Sequence, residues 1–337
     1  MFADYLDLFR NVEQKAVAIR GLKKERSLAS IIRTQQKFIN GLSDALESYF
    51  DGHPARAYEV FKKTMNHRVK AFKTLQTMRK YESGQSFYRL RIKEENHPLS
   101  AGEMFHIPFQ LRGRVSTQRY SIPGFPSLYL AGSLYVAWEE LKRPNLDRFQ
   151  AVRLATTETL TCLDLTRPEL GEDPMHIGGY RYLMIWPLIA ACSIKVANPG
   201  DSFKPEYILP QLLLQWVRNN GEIDGIIYAS TNIQLSPKQE LRNLYNVVLP
   251  VKDNKDKGLC SVLCKKFSMT QAVSRQLLAA SSSSGSYLRT LGEIERIDNK
   301  IPRLEIISGR RSLYSSSEIG KLEMVLDEMS TTIIAGE

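Results

Sequence analysis

The stretch RYSIPGFPSLYLAGSLYVAWEEL, residues 119–141, carries Arg119, three tyrosines (Tyr120, Tyr129 and Tyr135) and the paired Glu139 and Glu140. An arginine is a planar, permanently charged fork that matches phosphate or carboxylate oxygens. Tyrosine rings offer stacking faces. A fixed carboxylate stabilises positive charge that develops in a transition state. Together they put an anion binder, aromatic faces and carboxylates in one short stretch, as expected if all three meet the same ligand. Two further segments share the chemistry: SFYRLRI carries Arg89 and Arg91, and DGIIYAST ends an apolar run in Tyr228 and Ser230.

Common catalytic signatures are missing. No GxGxxG follows a strand, and GxxxxGK[ST], HExxH and GxSxG do not occur. Rossmann, P-loop, zincin and hydrolase-elbow readings lose their support. His106, in MFHIPF, has aromatic and aliphatic neighbours and reads as a partly buried structural histidine. Cys260 and Cys264 form a CxxxC, but no second Cys/His pair is near, and Lys265 and Lys266 would repel a cation. No metal is expected.

The elements that must position these side chains are mixed. SFYRLRI, SLYL after the turn-forming IPGFP, TLTCLDLT, DGIIYAS and NVVLPV read as strands. LYVAWEELK reads as a helix with Ser133 as its cap, and PEYILPQLLLQWVRN as another that Pro210 starts or kinks. Upstream, Phe38, Ile39, Leu42, Leu46 and Phe50 recur at helix spacing until DGHP stops the run. Tyr58, Phe61, Met65, Val69, Phe72 and Leu75 give a second helix its apolar stripe. Arg56, Lys62, Lys63, Arg68, Lys70, Lys73, Arg79 and Lys80 crowd its other faces, so a basic amphipathic helix is expected from 57 to 80. Near the other end, SSSEIGKLEMVLDEM has a serine cap before Glu318 and helix-spaced Ile319, Leu322, Val325 and Met329.

At the chemistry-bearing segments the chain resembles the RES domain family, named for its Arg, Glu and Ser. That family's pattern is a YR strand, a GRWNxxGxPVVYxSxSxxxAxxE block and a late YPS strand. Here YRL supplies Arg89, and the 119–140 block matches from Arg119 through Gly124, Pro126, Tyr129, Ser133 and Ala137 to Glu140. Tyrosine and glutamate stand eleven positions apart in the pattern, which selects Glu140 over Glu139. GIIYAST puts the serine at Ser230. Tyr120-Ser121 replaces the family's Trp-Asn, and the chain is far longer than a minimal member.

The resemblance implies an α+β, ADP-ribosyltransferase-like fold with a mixed or split β-sheet core and flanking helices, preceded by an N-terminal helical region. It also implies a toxin that cleaves the nicotinamide–ribose bond of NAD, a glycohydrolase or phosphorylase. NAD is then the substrate, phosphate an optional co-substrate, and no cofactor is required. Glu140, Arg119 and Ser230 become the catalytic residues. Arg89, Arg119, Tyr129, Tyr228 and Ser230 become the NAD-binding residues, with the arginines on the pyrophosphate and Tyr129 stacked on nicotinamide. An antitoxin or regulatory protein and a homo-oligomer are the implied partners. An ADP-ribosyltransferase acting on a macromolecule is the first alternative, and a non-enzymatic nucleic-acid binder with a degenerate RES fold the second.

Bulk properties bound these readings. The 337 residues carry 46 Lys and Arg against 36 Asp and Glu, a net charge of +10 that favours anionic partners without choosing among them. The cysteines are too few for a disulfide scaffold, no secretion signal is evident at the start, and the longest apolar run is broken by Pro187 and Lys195. A cytoplasmic protein without membrane contact is expected, and nucleic acid is the less favoured partner. Residues 1–84 are expected to form a helical region, 85–270 the RES-like catalytic domain, and 271–337 a C-terminal extension whose terminal helix packs on the core.

Overall fold

A computed structural model of the chain describes residues 28–74, 77–93, 97–166, 177–230, 233, 244–281, 291–301, 303–307 and 309–336. Within them the fold is a mixed α/β structure built on one nine-stranded sheet. Helices α1 (Leu28–Phe50) and α2 (Pro54–Thr74) come first, and β1 (Met78–Tyr81), β2 (Ser86–Ile92) and the single-turn α3 (Ala101–Met104) follow. Next are β3 (Ser127–Ala131), α4 (Leu134–Glu140), β4 (Phe149–Thr156), β5 (Leu160–Asp164), α5 (Ile177–Ser193) and α6 (Ile208–Arg218). Strands β6 (Gly225–Ala229) and β7 (Tyr245–Pro250) precede α7 (Ser261–Lys266), β8 (Phe267–Met269), α8 (Arg275–Ser281) and α9 (Leu291–Lys300). A small hairpin of β9 (Leu304–Ile307) and β10 (Arg310–Ser312), then α10 (Glu318–Glu328) and β11 (Thr332–Ile333), complete the described chain.

The strands lie in the order β1-β5-β6-β7-β3-β2-β4-β8-β11. β5 and β6 are parallel, and every other neighbouring pair is antiparallel. β2 and β3 share a single register pair, Tyr88 with Ala131, whereas β2 pairs with β4 along its whole length. The sheet therefore nearly splits between β3 and β2. The turn before β3 closes with the Phe125 N–H donating to the Ile122 carbonyl at 2.9 Å. Gly124 there has φ +76°, a left-handed value that admits glycine without strain.

Two helical groups cover one face of the sheet. Apolar side chains of α1, α2, α5 and α6 pack against Leu163, Ile226 and Val248 on the β5-β6-β7 half. Residues of α4, α9 and α10 pack against Tyr88, Leu90, Ala131 and Ala151 on the other half. The opposite face, with Phe87, Leu130, Val152 and Val247, is closed by residues 99–109 and 259–267. A gap therefore remains on the first face, where the two helical groups stand apart over β3 and β7.

Several expectations need correction. The basic helix ends at Thr74, so Arg79 and Lys80 lie on β1, an edge strand inside the stretch expected to be helical. Arg68, counted among the basic residues on the faces away from the apolar stripe, is buried: it donates to the Met184 carbonyl at 2.9 Å and lies 4.9 Å from the Phe38 ring centroid. Phe50 ends the apolar stripe of α1 but is largely exposed. Leu75 lies outside the described residues. Pro210 is the third residue of α6 and starts that helix rather than kinking it. Strands β1, before residue 85, and β11, after residue 270, both belong to the nine-stranded sheet.

His106 is fully buried, accepts the Cys260 N–H on Nε2 at 2.8 Å and leaves Nδ1 to donate to the Ile107 carbonyl at 2.8 Å. Burial, reinforced by the charge of Arg89, pulls its pKa down to about 4. The folded pKa thus lies below the unfolded value of about 6.5. The resulting stabilisation is complete above pH ~6.5 and is lost as pH falls through about 4. Denaturant midpoints measured from pH 7 to 4 should fall over that window, by a contribution of up to about 3 kcal/mol from this residue. A flat profile would contradict the assignment. Among the described residues, no helix is long and apolar enough to cross a membrane.

Candidate functional site

The gap over β3 and β7 is a cleft of about 570 Å3. Its floor follows from strand register: Tyr228 pairs with Asn246, Asn246 with Ala131, and Ala131 with Tyr88. Partnered residues point to the same face, and all four line the cleft. Tyr129, two residues before Ala131, shares that face and lines it too.

Glu140 enters from the side as the last residue of α4. Its Oε1 accepts from Asn246 Nδ2 at 2.7 Å. A carboxylate at a helix C-terminus opposes the helix dipole, so helix stabilisation does not explain it. Glu139 has a different fate. It is 6% exposed, and both its oxygens accept from Arg143 Nε at 3.0 Å. The neighbouring glutamates are thus separated into a structural ion pair and a cleft carboxylate.

Arg119 lines the cleft beside the end of α5. Its NH1 donates to the carbonyls of Cys192 at 3.0 Å and Ile194 at 2.8 Å, and its guanidinium lies 5.3 Å from the Tyr207 ring centroid. The rest of the guanidinium has no hydrogen-bond partner among the described residues. The Tyr129 hydroxyl donates to the Tyr120 carbonyl at 2.7 Å, which fixes its ring against the cleft. Tyr120 and Tyr228 stack obliquely at 4.6 Å. Burial, then the charge of Glu140, holds the Tyr228 hydroxyl well above its ordinary pKa. Burial also pushes the Cys192 thiol up to about 12, which removes it as a nucleophile near neutral pH.

Arg89 borders the cleft from the split in the sheet. Alternation along β2 turns it away from Tyr88, and its NH1 reaches the Tyr129 carbonyl at 2.9 Å across the β2–β3 gap. Its Nε is buried without a partner, and no carboxylate among the described residues pairs with it. Burial and the like charge of Arg91 pull its pKa down to about 10, still charged at neutral pH. A cation so desolvated favours an incoming anion.

Of the residues singled out from sequence, Arg89, Arg119, Tyr129, Glu140 and Tyr228 meet at this cleft, and Ser230 is not among its lining residues. Ser230 is half-buried, one residue beyond the end of β6. Lys142 and Asn246 are among the lining residues that were not foreseen as site residues. Lys142 stands at the rim, with a left-handed backbone (φ 60°) just after Glu140. Asn246, 4% exposed, holds Glu140. Its signal in the sequence was a lone amide inside the apolar strand YNVVLP. Asn246→Ala should remove one contact that holds the Glu140 carboxylate and lower kcat roughly tenfold, with stability changed far less than by a core truncation. Steady-state kinetics beside a melting curve would check this, and an unchanged kcat would count against it.

The RES domain family matches residues 87–260. "Putative toxin YopC" of Bacillus subtilis (strain 168) is 33% identical over 318 residues, which cover 88% of this chain and 70% of that protein. No solved structure matches the chain. The matched residues hold Arg89, the Arg119-to-Glu140 block, Tyr228 and Asn246 around one cleft. By both similarities, the chain belongs to the RES domain family.

Proposed function

We propose that this chain is an NAD-consuming enzyme that cleaves the nicotinamide–ribose bond, a glycohydrolase or phosphorylase acting as a bacterial toxin or defence effector. A toxin-like, NAD-related function is what the RES domain and the toxin-named relative support at family level. The observation that carries the finer reading is Glu140. It is a carboxylate held by Asn246 in a cleft that also bears two arginines and several tyrosines.

In the reaction the bond between the pyridinium nitrogen and C1' of ribose breaks, and its electron pair stays with nicotinamide, which leaves neutral. Positive charge then concentrates on the ribose as an oxocarbenium ion. Glu140, accepting a hydrogen bond from a ribose hydroxyl, binds that state more strongly than the ground state. Arg119, anchored on the carbonyls at the end of α5, offers its remaining N–H groups to the diphosphate, and Arg89 adds positive potential from the split. Tyr129 and Tyr228 supply aromatic faces. Water or phosphate completes the substitution at C1'. Ser230, which does not line the cleft, is given no role in this reading.

A second reading, transfer of ADP-ribose to a macromolecule, draws on the exposed Arg56, Lys62, Lys63 and Lys70 of α2 as a docking surface. Purified chain incubated with labelled NAD separates the two. Free ADP-ribose or its 1''-phosphate supports hydrolysis or phosphorolysis, and label retained on protein or nucleic acid supports transfer. An antitoxin or regulatory protein that restrains the activity belongs to the same proposal. No described residue of α1 or α2 lines the cleft, so the reading does not lean on restraint by these helices.

A further inference from the structure

Helix α4 is a seven-residue rod, roughly 10 Å long. Glu140 is at its far end, so the angle at which α4 starts decides where that carboxylate lies. The start is held by the chain beyond residue 290. Glu323 of α10 is fully buried, and its Oε2 accepts the Leu134 N–H at 2.7 Å and the Tyr314 hydroxyl at 2.6 Å. The Tyr314 oxygen in turn accepts the Tyr135 N–H at 3.2 Å, and Ser133 Oγ accepts that of Val136 at 3.4 Å. The first three amides of α4 are thereby satisfied, two of them by distant residues.

The same network reaches the cleft floor. Lys300 Nζ donates to Glu323 Oε1 and to the Tyr88 hydroxyl, each at 2.8 Å, and lies 3.3 Å from Asp327 Oδ2. The Tyr88 hydroxyl also donates to Asp327. Glu323, Tyr314 and Lys300 all lie outside residues 87–260, the span of the family match. A serine cap alone would serve to start a short helix, and a buried ion pair is a weak source of net stability. What this one supplies is a fixed direction for α4 and a fixed hydroxyl for Tyr88.

We propose that Glu323 is a positioning residue for Glu140, acting through the first turn of α4, and that the chain after residue 290 thereby forms part of the active site. The inference rests on the NAD-consuming reading for its kinetic consequence, but not for its structural one. The test uses the full chain with Glu323→Gln, and with Tyr314→Phe as a milder variant in case the first fails to fold.

Two readouts are taken. In steady-state NAD consumption, Glu323→Gln should lower kcat roughly tenfold with KM within about twofold, and Tyr314→Phe should lower kcat by a smaller factor. In amide hydrogen exchange, both variants should speed exchange across residues 134–140, about tenfold for Glu323→Gln, while β7 stays protected. Wild-type kcat in both variants, a loss confined to KM, or exchange rising equally in β7 and α4 would overturn the proposal. If wild-type protein leaves NAD intact, the functional reading fails, and the exchange arm still decides whether Glu323 sets α4.

Discussion

Glu140→Gln is expected to abolish NAD loss while leaving the fold intact. Glutamine has the same shape, and its amide oxygen can still accept from Asn246 Nδ2, the contact now made at 2.7 Å. At that contact the substitution therefore removes the charge and little else. Because that charge acts mainly on the oxocarbenium ion, the loss should fall on kcat, by about 10^3-fold, the upper range for removing one preorganised electrostatic group. The thermal midpoint should move by no more than a few degrees, since no core contact changes. Turnover near wild type in a folded variant would remove Glu140 from the chemistry. Glu139→Gln provides the contrast. That residue's oxygens are committed to Arg143, so its loss should show in stability before activity.

Arg119→Ala should raise KM by one to two orders of magnitude, about 1.4 to 3 kcal/mol of binding, with kcat changed much less. The guanidinium is anchored through NH1, which leaves its other edge for the diphosphate. Uniform binding to ground and transition states appears in KM rather than kcat. The structure adds a second effect that the sequence did not suggest. The same substitution leaves the Cys192 and Ile194 carbonyls without their donor at the end of α5, at a cost of about 1–2 kcal/mol in stability. Arg119→Lys separates the two, since an ammonium keeps the charge without the planar fork. Its KM should lie between wild type and alanine. An unchanged KM in Arg119→Ala would show that the arginine serves α5 alone.

The parts of this architecture carried by local pattern were legible in the sequence. β2, β3, β5, β6 and β7 each follow a β-prone apolar run, and α4 and α10 each begin at the serine expected to cap them, Ser133 and Ser317. Several missed elements owe their existence to distant partners. β4, FQAVRLAT, includes a buried glutamine and a half-buried arginine, which hides its alternation. Gln150 is satisfied by Leu99 N–H and the His97 carbonyl, and Arg153 by the carbonyls of Leu326 and Met329. β8 and β11 are two or three residues long and exist because they pair at the sheet edge.

At the site, the Arg119-to-Glu140 block was legible because turn, strand and helix follow one another directly in the chain. Asn246 and Glu323 were not. One looks like an accident in an apolar strand, the other like one more surface acid on a helix. Their roles come from partners 106 and 189 positions away, Glu140 and Leu134.

The most direct measurement is to incubate the purified chain with NAD and follow both the dinucleotide and its products, with Glu140→Gln in parallel. The account predicts that NAD disappears with release of one nicotinamide per ADP-ribose or ADP-ribose 1''-phosphate formed, and that the variant consumes NAD about 10^3-fold more slowly. NAD persisting through long incubation with folded wild-type protein, with or without added phosphate, would contradict it.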